Sequence, residues 1–174
     1  MDAKLWRFLR LRPQNFPHIR IAQLANLYYM RRAGLSELIE CPDVISLCEK
    51  MHTQVTPYWE THYTFGSESS NNAKHLSPFS INLLLINTCI PLLFAYGRHT
   101  CREDLCDRAF DFLEQLKAEN NHIIRMWQEC GLNVKSAGDS QALIQLKKEY
   151  CDKKDCLRCR IGYEYLKRNN DITL

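Results

Sequence analysis

The chain has 174 residues, 45% of them apolar and 25% charged, with a formal charge of +3. These proportions are those of a folded soluble domain and exclude a disordered chain, and so small a net charge is by itself no argument for nucleic-acid binding. The charge is unevenly placed, with net +6 over residues 1–34, −6 over 35–146 and +3 over 147–174, so the basic ends are expected to pack on or near the acidic middle.

Residues 3–11 alternate apolar and basic side chains and fit a short helix or a strand equally well. The following RPQNFP, with two prolines bracketing Asn15 and Phe16, reads as an extended or turning connector that excludes helix. From His18 to Arg32 the apolar residues Ile21, Leu24, Ala25, Leu27 and Tyr28 recur at three and four, predicting a helix ended by Gly34. Ser36 begins a short helical turn. A further helix over 43–52 places Val44, Leu47, Cys48 and Met51 on one side. Between Thr53 and Ser77 the periodicity dissolves into an aromatic, proline-bearing and then polar stretch, and irregular segments of that length are mobile or functional.

Ser80 to Gly97 is the most apolar run in the chain. Apolar on all sides, it is expected to be surrounded by other helices as the hub of the fold. Ser77 and Pro78 supply its cap and first turn, Gly97 its stop, and Pro91 a kink or break. Asn82, Asn87 and Pro91 argue for a buried soluble helix over a bilayer span, which takes about 20 consecutive apolar residues. Asn82 and Asn87 would then be buried amides needing hydrogen-bond partners. Further helices are expected with Leu105, Ala109, Phe112, Leu113 and Leu116 on one face, over 119–130 with Ile123, Ile124 and Trp127 inward and Gly131 as stop, from a cap at Asp139 or Ser140, and over 157–167. With no convincing hairpin and no repeat, the pattern predicts an all-α single-core bundle of about seven or eight helices, one domain over 1–174, around a Pro-kinked central helix. The basic amino terminus lacks the apolar core and cleavage site of a secretory signal, so a cytoplasmic location with no membrane partner is expected.

Nine cysteines, mostly within helical patterns, argue for thiols or a metal site over a disulfide framework. Cys151, Cys156 and Cys159 have the spacing to grip one tetrahedral ion at about 2.3 Å. Lys153, Lys154, Arg158 and Arg160 nearby would favour the thiolates. If helices 119–130 and 140–151 form an antiparallel hairpin, Cys130 lies roughly 16 Å from Cys151 and His122 lies on the right side, which makes His122 the fourth ligand. Zinc is the expected ion, an iron–sulfur cluster the lesser alternative, and three unmetallated thiols the structural one. A second constellation is RPQNFPHIR, where Arg12, Asn15 and Arg20, with His18, surround a proline-stiffened helix start suited to an anion; pairing of the arginines with the acidic middle is the competing structural role. A third is YWETHYTF, where Glu60 and His62, with His52 and His75 nearby, could do acid–base work.

RLRPQNFPHIRIAQLA, SINLLLINTCIPLLFAYG, DSQALIQLKKEYC and CLRCRIGYEYL together resemble the C-terminal part of an uncharacterised bacterial family, domain-of-unknown-function family 2851, over nearly the whole chain. The resemblance implies that the chain is the C-terminal part of a longer protein whose front half carries any active centre, and it assigns no activity. The combined expectation is a non-catalytic helical module that positions a partner protein or an N-terminal domain, with a structural metal at the cysteine trio. A nucleic-acid-binding or nuclease-associated role through the basic ends is the alternative.

Overall fold

Pro17 opens the first long helix, because its missing N–H falls where no intrahelical acceptor exists and its fixed φ is already helical. The computed structural model of the chain describes residues 6–30 and 34–170, and it divides into two compact units, Met1–Ala109 and Phe110–Leu174. Among the described residues the structure is helical except for one small hairpin, which bears out the all-α class.

In the first unit, helix α1 (Pro17–Tyr29) follows a single 3-10 turn at Pro13–Asn15. RPQNFP is thus partly helical after all, since proline tolerates the first position of such a turn. The element expected over 3–11 lies partly outside the described residues, and from Trp6 to Phe8 the chain is irregular. The expected helix end at Arg32 also lies outside them. Gly34 is no stop; it stands in extended conformation as the N-cap of α2 (Leu35–Glu40). Helix α3 (Val44–Met51) is capped by Asp43, whose carboxylate accepts from the Ser46 N–H and is held below the usual carboxylate range chiefly by that bond. Val44, Leu47 and Met51 are buried, as the periodicity predicts.

The segment without periodicity is ordered by a lysine. It forms a one-turn helix α4 (Pro57–Glu60) and a hairpin of β1 (His62–Thr64) with β2 (Ser67–Glu68), turned at Gly66 with φ +73°. Strands this short show no alternation, so the sequence pattern could not disclose the hairpin. Lys74, 3% exposed, donates from Nζ to the carbonyls of Trp59 at 2.5 Å and Glu60 at 2.7 Å and stands 4.2 Å from the centre of the Tyr63 ring. Loss of solvent lowers its pKa, the remaining charge being accommodated by these carbonyls and the ring face. Trp59 and Tyr63, which it touches, also pack with Phe16 against a buried cluster of Ile19, Ala22 and Val55.

The most apolar run is one continuous helix, α5 (Pro78–His99), started as expected by the Ser77 hydroxyl accepting from the Ser80 N–H. It is not a surrounded hub. Over its most apolar 18-residue window only 28% is buried. Ile81, Leu85, Ile86, Ile90 and Leu93 form a buried stripe, while Leu84 and Leu92 face outward at 38% and 47% exposure. A helix apolar all round records a preference for dry surroundings, and the elements of this unit supply them on one side only. By length and composition the helix could cross a membrane. Nor does Pro91 break it: a π turn over Leu85–Cys89 precedes the proline and absorbs the lost hydrogen bond and the ring's bulk. Asn87 is exposed and donates to its own helix at the Leu83 carbonyl, and Asn82 is half-buried, so neither is the fully buried amide expected.

Gly97 lies within α5. A Cβ there would come within 3.0 Å of the Arg102 carbonyl, the Cys106 sulfur and the Leu105 Cβ, so its role is close approach, and the helix runs on to His99. Helix α6 (Glu103–Gln115) buries Leu105, Ala109 and Phe112, followed by Leu116, and half-buries Leu113, in agreement with the predicted face.

In the second unit, Asn121 caps α7 (His122–Glu129), which buries Ile123 and Ile124 and ends before Gly131, at φ +87° as expected of a stop. Helix α8 (Ala137–Leu146) starts earlier than expected: Ser136 caps it and Asp139 closes a reciprocal capping box by accepting from the Lys135 and Ser136 N–H groups. These two bonds hold the Asp139 carboxyl below the usual range. The helices pack together with Trp127 donating to the Leu143 carbonyl at 3.2 Å. A π turn over Lys147–Cys151 and an irregular link lead to α9 (Arg160–Asn170).

Two stability changes follow. Gly97→Ala is expected to cost about 1–3 kcal/mol, as overpacking against a fixed backbone does. Lys74→Met keeps the stem but takes the ammonium from the Trp59 carbonyl, while the Glu60 carbonyl keeps the Asn72 N–H, and is expected to cost about 1–3 kcal/mol. Both are read as lowered urea midpoints with an unchanged slope; wild-type midpoints would refute the packing and the buried ammonium respectively.

Candidate functional site

The side chains that carry a site converge beside α1. The 3-10 turn places Asn15 where its Oδ1 accepts from Arg20 Nη2 at 2.7 Å, one turn into the helix. Three residues on, Gln23 presents Oε1 to Arg20 Nη1 at 3.0 Å, the spacing that puts both on one helical face. From the first turn of α5, Ser80 Oγ accepts from Nη2 at 3.4 Å. Gln23 is held in turn, buried and donating from Nε2 to the Lys74 carbonyl at 2.9 Å.

Arg20 is therefore fixed by three neutral oxygens. Among the described residues no carboxylate lies within ion-pair distance of it, and two of its five N–H groups remain without a partner. Partial burial pulls its pKa below the ordinary guanidinium value. It borders an open groove of about 490 Å³ between α1 and α5, whose apolar walls include Leu24, Leu27, Leu76, Leu83 and Leu84. Among the described residues lining the groove there is no histidine, cysteine or carboxylate. Chemically it can hold an apolar body and satisfy one negative charge.

Of the predicted anion-binding residues, Asn15 and Arg20 are brought together. Arg12 stands exposed at the cap of the 3-10 turn. His18 belongs elsewhere: it stacks on Trp6 at 4.7 Å and on Phe8 at 5.5 Å, with its Nδ1 buried and unbonded. Gln23, Ser80 and the groove leucines were not singled out from sequence. Gln23 had one signal, its spacing from Arg20; Ser80 had none, being sixty residues away. The acid–base candidates are engaged otherwise. His62 stacks on Tyr58 at 4.1 Å and brings Nδ1 within 2.9 Å of the Tyr58 carbonyl, and the backbone oxygen of Glu60 serves Lys74. His52 and His75 line a second cavity of about 840 Å³ near the end of α1.

The cysteine trio sits between the π turn and α9. Cys151 and Cys156 are exposed, Cys159 is buried and its N–H donates to the Asp155 carbonyl, and His122 is exposed at the first turn of α7. All nine cysteines are free thiols. Among the described residues no group of three or more His, Cys, Asp or Glu side chains is arranged to hold a metal ion, so the arrangement lends zinc or an iron–sulfur cluster at Cys151, Cys156, Cys159 and His122 no support. The thiol of Cys151 is pushed up, first by loss of solvent and then by Cys159 and Cys156, the reverse of the activation expected from the basic neighbours. Two of those neighbours are spent in ion pairs, Lys153 with Glu149 and Arg158 with Asp155.

No curated protein and no solved structure matches the chain. A family described as Protein of unknown function (DUF2851) matches residues 1–122 of the 174, covering the groove and ending before the cysteine trio, which the resemblance seen in the sequence had included. On that match the chain belongs to the DUF2851 family.

Proposed function

We propose that the chain is a non-catalytic helical binding module, and that its working surface is the groove headed by Arg20. The observation that carries this reading is a fixed, partly buried guanidinium that, among the described residues, is bonded only to neutral oxygens and stands beside exposed leucines. A structural arginine ordinarily finds a carboxylate, because a charge leaving water needs one; this one is oriented and left uncompensated. Groove walls without acid, base or thiol suit holding and positioning better than chemistry. Contact with nucleic acid through the basic ends draws less support, since Lys147, Lys153 and Arg158 near the C-terminus are each paired with an acid.

The reading is tested with anilinonaphthalene sulfonate, an apolar fluorophore bearing one anion. Its fluorescence is expected to rise on the folded chain, with binding weakened about tenfold by Arg20→Gln, the loss of a hydrogen-bonded charge, and unchanged by Arg12→Gln. Circular dichroism of both variants checks that the fold persists. Equal binding by the wild type and Arg20→Gln would remove the groove as the working surface.

A further inference from the structure

Resting on that reading, we infer that the ligand of the Arg20 groove is a medium-chain carboxylate: one unbranched apolar chain with a single negative charge at its end. The head follows from charge. Arg20 is the sole cation among the described groove residues, so the charge it can answer is a single negative one. A phosphate dianion would leave one negative charge unmatched in a partly buried site, where it is costly.

The body follows from what the walls lack. A bound peptide brings amide groups that need partners once they leave water. Here Gln23 is committed at both ends, to Arg20 and to the Lys74 carbonyl, Ser80 Oγ is taken up with Arg20 and Ser77, and Asn87 donates to its own helix. Apart from the Thr88 hydroxyl at the far end, the remaining surface is leucine, which serves methylene groups and offers little to a backbone. Length follows from α5. Ser80, beside the head, and Asn87, farther along the same groove, are separated by two helical turns, about 10 Å of rise. That span suits a chain of medium length, and the volume of about 490 Å³ lies among those of small-molecule sites.

The test is displacement of bound anilinonaphthalene sulfonate from the full chain by sodium decanoate, with decanol as the chain without the charge and acetate as the charge without the chain. Decanoate is expected to displace the fluorophore at concentrations where decanol and acetate do not. Affinity should rise about two- to fourfold per methylene from hexanoate to decanoate. Arg20→Gln should erase the preference for decanoate over decanol, while Leu84→Ser, at an exposed position, should weaken both and keep the preference. Decanoate no better than acetate, or no better than decanol on the wild type, overturns the inference. If either occurs while fluorophore binding still depends on Arg20, the binding module stands and only the ligand class falls. If fluorophore binding is indifferent to Arg20, both fall together.

Discussion

A lysine can be buried only where other groups take over the work of water, and the first unit is arranged to allow that at Lys74. Its ammonium gathers the carbonyls of Trp59 and Glu60 and sits over Tyr63, drawing the 57–64 segment around one point. Its own carbonyl accepts from Gln23, which ties the same point to α1. One residue thus holds the loop by its side chain and the helix by its main chain. Because Gln23 also accepts from Arg20, the orientation of the guanidinium is set two bonds away from the buried ammonium. The polar relay makes a segment without periodicity behave as a fixed wall, and gives Arg20 one orientation beside the groove.

The second determinant is how little of α5 is covered. Burial is decided by what the remaining chain can bring to a helix as well as by the helix's own hydropathy. The stripe Ile81, Leu85, Ile90 and Leu93 is covered, and the opposite side, with Leu84 and Leu92, is left open. Leaving such a face in water forgoes about 25 cal/mol for each Å² of apolar surface. Of the exposed leucines of α5, Leu84 lies along the same groove as the outward Leu24 of α1, with Arg20 beside them. That coincidence of apolar surface and uncompensated charge separates the site from scattered exposed leucines, which are ordinary on any protein.

Several elements defined by neighbours in sequence agree with the reading of them, although Gly34 caps a helix start where a stop is expected and RPQNFP contains a 3-10 turn. The faces of α3, α6 and α7, the Ser77 cap and the Gly131 stop are all set by contacts or dihedrals within a few residues. Gly97 shows where this ends: a helix stop and a close-approach glycine look identical until the chain at 102–106 is placed against it. The start of α8 differs from the reading because Asp139 is itself a good cap residue, although Ser136 and Asp139 carry the three-residue spacing of a capping box in the sequence. For the site, Asn15 and Arg20 were legible because a proline-stiffened turn fixes both, whereas Ser80 arrives from another helix. The close sequence spacing of Cys151, Cys156 and Cys159 is accompanied by no group of three or more metal-holding side chains among the described residues, with Cys159 buried beside the start of α9 and the other two exposed.

That Arg20 has no acid beside it among the described residues is the point on which structure and function separate. Residues 35–146 carry fourteen acids, yet among the described residues Arg20 is offered only an asparagine, a glutamine and a serine. Neutral acceptors orient a guanidinium without cancelling its charge, and in a partly dry setting an uncancelled charge interacts more strongly with whatever anion arrives. An internal carboxylate would give a more self-contained fold and a weaker site, since an incoming anion would first have to displace it. The arrangement found keeps the cation in position while leaving its charge for a ligand, and the apolar walls beside it dictate that the ligand bring more than charge.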